Sequence, residues 1–128
     1  MPRILVVADA PWARNEVHAA LTDSATELVD HTDPATVAET VEEGDIDLVL
    51  VDLQVGSMGG MAITRSVREL SSVGGTRVVP VVMMLDRSAD AFLAKRAGAA
   101  AWITKPFTSH QISEAVDRAL GAASGPTE

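Results

Sequence analysis

The stretch LVLVDLQVGSMGGM, residues 48–61, decides how the rest of the chain is read. Leu48, Val49, Leu50 and Val51 form an unbroken apolar run, Asp52 closes it, and Gly56, Gly59 and Gly60 follow. A short run of this kind, without polar alternation and ended by glycines, predicts a strand buried on both faces, as in a parallel sheet. Open α/β sheets bind their ligands beyond the carboxyl ends of the strands. A carboxylate at the end of a buried strand therefore stands where chemistry is done.

Working outward, the strand around Leu48 is expected over Asp47–Val51, and similar apolar runs occur at Ile4–Val7, Val78–Leu85 and Ala100–Ile103. A weaker one lies at Glu27–His31. Helical spacing fills the intervals. Pro11 suits the first turn of a helix, where its missing N–H costs nothing, and Val17 and Leu21 then share a face. Asp33 before Pro34 reads as a cap for a helix through Val37 and Val41, ended by Gly44. Met61, Val67 and Leu70 line a third helix, with Gly74 and Gly75 in the loop after it. Ser88 is expected to cap a fourth helix, with Leu93 and Ala97 facing inward and Gly98 as the stop. Thr108 and Gln111 have the spacing of a capping box for a fifth, through Ile112, Val116 and Leu120. Five strands alternating with five helices imply βαβ units with right-handed crossovers. The expected fold class is α/β, a doubly wound five-stranded parallel sheet of order 2-1-3-4-5. A single domain is expected over residues 1–121, with a flexible tail over 122–128.

Composition narrows the class of function. The chain has 128 residues, 47% hydrophobic and 22% charged, as in a folded protein with a sizeable core. A formal net charge of −8 disfavours a basic surface for nucleic acid or anionic lipid, so neither direct nucleic-acid binding nor membrane insertion is expected. With no cysteine and no apolar run long enough for a signal peptide or a membrane span, the expected location is cytoplasmic.

Asp9 falls just past the first strand and Asp52 just past the third, and in the order 2-1-3-4-5 those strands are neighbours at the switch point. Two carboxylates there can hold a hard cation such as Mg²⁺. Lys105 follows the fifth strand, so its ammonium converges on the same edge. One aspartate at a strand end more often caps a turn, and a Lys-Pro pair is more often a turn than a site. Carboxylates and a lysine at three strand ends together point to phosphoryl transfer, with a carboxylate as nucleophile and cations offsetting charge on the transferred oxygens.

The segments ILVVAD at 4–9, DLVLVDLQ at 47–54 and GAAAWITKPF at 98–107 carry a family resemblance over almost the whole length. In this order, on this alternation, they resemble the receiver domain of two-component response regulators, a flavodoxin-like fold. The resemblance implies a signalling module rather than an enzyme, taking a phosphoryl group on Asp52 from a sensor histidine kinase or a small phosphodonor. It implies Mg²⁺ held by Asp9, Asp52 and the backbone carbonyl of Gln54, with Lys105 stabilising the phosphoryl group and Pro106 as its usual cis partner. It also implies regulation of a partner protein, or pairing with a second copy, through a face that includes Phe92, Lys95, Arg96 and Trp102.

Several positions depart from the family pattern. Ala8 stands where the family carries a second acid, so weakened Mg²⁺ binding is expected. Val55-Gly56 and Gly59-Gly60 replace the usual residues of the loop after the phosphoacceptor. Leu85 replaces the hydroxyl that normally reaches the phosphoryl group, and Asp86 replaces the small residue after it. A second negative charge ~4 Å from a phosphoryl group costs of the order of a few kcal/mol in a partly desolvated site. Asp86 has three available readings: repulsion of the phosphoryl group, a pair with Lys105 that holds the pocket in one state, or a local role capping the following helix or pairing with Arg87. Trp102 occupies the family's switch-aromatic position, and Trp12 sits beside the pocket. His18, His31 and His110 share no metal-binding spacing.

Two functions compete on these residues. One is a stand-alone receiver with atypical switch positions Leu85, Asp86 and Trp102. The other is a degenerate receiver acting as a phosphorylation-independent interaction module. A flavin binder lacks its phosphate loop in DAPWARNE at 9–16, and a hydrolase built on Asp52 would want an acid where Gln54 stands.

Overall fold

The computed structural model describes residues 3–8, 10–21, 26–33, 36–43, 46–52, 54–55, 58–72, 79–105 and 107–123. Five strands, β1 (Arg3–Val7), β2 (Glu27–His31), β3 (Leu48–Asp52), β4 (Val81–Leu85) and β5 (Ala101–Thr104), form one parallel sheet in the order 2-1-3-4-5. Five helices connect and follow them: α1 (Pro11–Leu21), α2 (Val37–Glu43), α3 (Gly60–Ser72), α4 (Ala91–Ala97) and α5 (Ser109–Ala123). A two-residue antiparallel pairing of Gln54–Val55 with Met58–Gly59 sits between β3 and α3.

The inner strands are apolar because both of their faces are covered. Leu48, Leu50, Val82, Met84 and Ile103 pack with α1 and α5 through Ala13, Val17, Ile112 and Val116. On the opposite face Val49, Val51, Val81, Met83 and Leu85 pack with Val37, Ile63, Val67 and Ala94. Every residue of β3 and β4 is buried, whereas β2, at the sheet edge, exposes Glu27 and Asp30. That pattern matches the strong apolar runs at β1, β3 and β4 and the weaker one at β2. Among the described residues no helix is long and apolar enough to cross a membrane.

The elements differ from the sequence reading in four places. β3 starts at Leu48 because Asp47 instead accepts the Arg3 backbone N–H at 2.7 Å, and Asp52 is the last residue of the strand rather than the first beyond it. β4 starts at Val81, after Pro80, which has no N–H for a ladder. β5 runs Ala101–Thr104, one residue later than expected. α5 extends to Ala123, past residue 121.

Two expectations for the fourth helix are corrected. Ser88 caps nothing: it opens a 3₁₀ turn, Ser88–Asp90, whose own N-cap residue is Arg87, and the cap position of α4 falls on Asp90. Leu93 faces solvent, 47% exposed, because the added turn rotates α4 so that Ala94 and Ala97 face the sheet. The capping box at α5 is formed in both directions, Gln111 N–H to Thr108 Oγ1 at 3.1 Å and Thr108 N–H to Gln111 Oε1 at 2.8 Å. Expected turn residues Pro34, Gly44, Gly56, Gly74 and Gly75 lie outside the described residues.

Gly98 ends α4 in the left-handed conformation, φ +99°, and its N–H bonds the Lys95 carbonyl. A Cβ there would also approach Arg68 Nε to 2.8 Å. Replacing Gly98→Ala is expected to lower unfolding stability by roughly 1–2 kcal/mol, read from the urea midpoint at unchanged slope.

Candidate functional site

The carboxyl ends of β1, β3, β4 and β5 meet at one edge because the strands are parallel and in register. Asp52 pairs with Met84, Leu85 pairs with Thr104, and the register between β4 and β5 advances one residue at a time. The backbone N–H of Lys105 donates to the Leu85 carbonyl at 2.8 Å, so β4 and β5 are tied together one residue beyond the ladder. Asp86 and Lys105 therefore leave the sheet side by side.

Lys105 is the centre of the cluster. Its Nζ donates to Asp52 Oδ1 at 2.6 Å and to Asp86 Oδ1 at 3.1 Å. Asp52 is 5% exposed, whereas the Asp86 side chain is 56% exposed. Lys105 Nζ also lies 5.5 Å from the ring centroid of Trp12, within cation–π range. Trp12 stacks on Phe107 at a centroid distance of 6.2 Å and an interplanar angle of 27°. Burial works against the charge on Lys105, but its hydrogen bonds to Asp52 and Asp86 and the charges of both acids outweigh burial and raise its pKa.

Two of the three readings for Asp86 are thereby separated. Asp86 pairs with Lys105, whereas Arg87 pairs with the buried Asp90, Nη2 to Oδ1 at 3.4 Å. Leu85 is fully buried in the apolar cluster that also holds Val51 and Ala94, and the half-buried Trp102 packs against that cluster. No hydroxyl occupies the Leu85 position. Phe92 is 64% exposed on α4, with the Arg96 guanidinium 5.6 Å from its ring centroid.

Asp9 lies outside the described residues, as does Pro106. Gln54 is placed by its backbone, two residues past Asp52 in the short antiparallel pairing. The histidines stay apart: His18 Nε2 lies 2.9 Å from Asp30 Oδ1, His31 Nε2 lies 2.8 Å from Thr36 Oγ1, and His110 is exposed. Among the described residues no three acids or histidines gather as a metal centre. What is present suits a hard cation in kind. Asp52 offers oxygen, and its Oδ2 accepts no hydrogen bond from a described residue.

Two contacts were not anticipated from the sequence. Arg14 Nη1 donates to the Ala8 carbonyl at 2.8 Å, placing a cation beside the position where the family has its second acid. Phe107 supplies the second ring under Trp12. The helical spacing from Pro11 puts Arg14 in the first turn, back toward the end of β1; nothing local marks Phe107, whose contact bridges 95 residues of sequence.

A doubly wound parallel sheet with a carboxylate–lysine pair at its switch point defines the class of α/β proteins that bind or transfer charged groups at strand ends. The comparisons narrow this class. Residues 4–117 match the model of the response regulator receiver domain. The chain is 28% identical over 119 residues to the chemotaxis protein CheY of Bacillus subtilis, covering 92% of this chain and 97% of that protein. It is 29% identical over 115 residues to the aerobic respiration control protein ArcA of Escherichia coli K12, covering 88% of this chain and 45% of ArcA. The chain thus spans about half the length of that relative. Among solved structures, a response regulator from Chloroflexus aurantiacus superposes with a TM-score of 0.84 at 17% identity, covering 94% of this chain and 99% of that one. The receiver domain of a sensor histidine kinase from Pseudomonas aeruginosa, solved with magnesium coordinated in its active-site cleft, gives 0.78 at 23% identity, covering 94% and 98%. At these identities the structural matches establish the fold.

The chain belongs to the response regulator receiver domain family, a module of two-component signalling.

Because the pKa of Lys105 is raised on folding, its contribution to stability is complete below lysine's ordinary 10.5 and is lost as pH rises through the higher native value. The chain has no tyrosine, and its other lysine, Lys95, is on the exposed face of α4. Urea titrations above pH 10 are expected to show a loss of stability in the wild type that is missing in Lys105→Met. At pH 7 that variant is expected to be less stable by roughly 1–3 kcal/mol, since it leaves the buried Asp52 charge uncompensated.

Proposed function

We propose that this chain receives a phosphoryl group on Asp52 from a sensor histidine kinase or a small phosphodonor and, in that state, regulates a partner protein. The observation that carries the reading is the 2.6 Å bond from Lys105 Nζ to Asp52 Oδ1 at the carboxyl edge of the sheet. It leaves Oδ2 without a partner among the described residues and brings a cation beside the attacking carboxylate. In the transfer, an Asp52 oxygen attacks phosphorus and the bond from phosphorus to the donor's nitrogen or oxygen breaks. The product is an acyl phosphate on Asp52, and the leaving atom takes up a proton or departs as an anion. Lys105 follows the charge, moving from the carboxylate to the oxygens of the phosphoryl group.

Mg²⁺, when bound, offsets charge on the transferring oxygens. Asp9, Asp52 and the backbone carbonyl of Gln54 are the groups proposed to hold it. Ala8 removes one family carboxylate, which lowers the expected affinity without removing the site, because Mg²⁺ commonly uses one or two carboxylates plus phosphate and water. The mouth of the pocket is shielded by Trp12, half exposed and backed by Phe107.

A second reading is favoured by Leu85 and Asp86. A buried leucine where a hydroxyl would respond to the phosphoryl group, and an acid already bonded to Lys105, suit a module that presents one constant surface to its partner. The face for that partner would include Phe92, Arg96 and Trp102 on α4 and β5.

Intact-protein mass after incubation with Mg²⁺ and a small phosphodonor decides between them. A single phosphoryl adduct is expected on the wild type and none on Asp52→Asn. Absence of an adduct, with a conventional receiver labelled in parallel, would favour the phosphorylation-independent module. Asp9→Asn is expected to weaken Mg²⁺ binding at least tenfold by fluorescence titration, since it removes a charged oxygen ligand; an unchanged affinity would remove Asp9 from the ligand set.

A further inference from the structure

We propose that Asp86 is an internal anion that competes with the phosphoryl group for Lys105, so that the pocket's affinity for a phosphoryl group is set by how readily this one ion pair opens. The proposal rests on the reading of Asp52 as the phosphoacceptor.

Geometry carries the argument. A lysine ammonium has three N–H donors. In Lys105 one is spent on Asp52 Oδ1 and a second on Asp86 Oδ1. Since both acids bond the same nitrogen at 2.6 and 3.1 Å, their bonded oxygens lie within about 6 Å of each other. A phosphoryl group on Asp52 occupies this space, brings further negative charge, and requires the same ammonium. It cannot take over the Asp86 donor while the pair stays closed.

The backbone prepares the pair. The Lys105 N–H to Leu85 carbonyl bond holds the ends of β5 and β4 together, so closing Asp86 onto Lys105 needs little chain movement. Arg87, the cation next to Asp86 in the chain, is engaged by Asp90. Asp86, in contrast, is largely exposed and can swing into water once Lys105 is claimed. The buried Leu85 before it cannot make that movement. Charge repulsion at Asp86 thus takes the place that an attracted hydroxyl would have filled, and because Asp86 leads directly into the Ser88–Asp90 turn, its release acts on the segment that positions α4.

The test uses beryllium fluoride, a tetrahedral isostere of the phosphoryl group, with saturating Mg²⁺ and tryptophan fluorescence as the signal. The wild type is compared with Asp86→Asn, Asp86→Glu and Asp52→Asn. Asp86→Asn keeps the shape but loses the charge, and the residue's exposure keeps the fold out of question. It is expected to bind beryllium fluoride at least about tenfold more tightly than the wild type, while Asp86→Glu, which restores the carboxylate, returns toward wild-type affinity. Equal affinities of the wild type and Asp86→Asn overturn the proposal. A Glu variant that binds as tightly as the Asn variant also overturns it, because the carboxylate would then not be the competitor. Binding that is absent from the wild type and from Asp86→Asn alike, or that persists in Asp52→Asn, overturns the phosphoacceptor reading itself.

Discussion

A negative charge at the end of a strand buried on both faces is the constraint on which the site depends. Asp52 terminates β3, whose five residues are all buried, and the carboxylate has little contact with water. Burying an unpaired carboxylate is costly, so a cation must be brought to it. The sheet brings Lys105 from the end of β5, two strands away, and the backbone bond from Lys105 to Leu85 holds it there. The stability of the strand ends and the chemistry of the pocket therefore rest on the same ion pair.

The second acid changes the character of that pair. With Asp52 alone, Lys105 would be a counter-ion with donors to spare; with Asp86 it is shared by two carboxylates and lies against the face of Trp12. Asp86 is accessible enough to leave and close enough to stay, whereas Leu85 beside it is locked in the core between β4 and α4. On the proposed reading, sensitivity to the phosphoryl group rests on a carboxylate that can be driven outward rather than on a hydroxyl drawn inward. The half-buried Trp102 and the exposed Phe92 remain on the face beyond, linked to the pocket by packing and by the short turn ahead of α4.

Legibility of the fold followed burial. The inner strands were readable because burial on both faces leaves no choice but continuous apolar residues, and the edge strand β2 was readable only weakly because part of it meets water. The capping box of α5 was readable because its two partners are three residues apart. The start of α4 was not. A 3₁₀ turn and an α-helix use nearly the same residues, and the one added turn moved the cap from Ser88 to Asp90 and turned Leu93 outward.

For the site, the sequence by itself determined which groups stand at the strand ends, because alternation of strands and helices sets the order of the sheet and hence which ends are neighbours. Asp52 and Lys105 were assigned to one edge on that ground, and they meet. Tertiary structure alone decided among the partners open to Asp86, since Arg87 next to it and Lys105, 19 residues away, are both cations within reach on paper. It also brought Phe107 under Trp12 and Arg14 to the carbonyl of Ala8. The physical reason is common to these contacts: local spacing specifies direction along one element, whereas distances between side chains on different elements are set by how the two apolar faces of the sheet are packed.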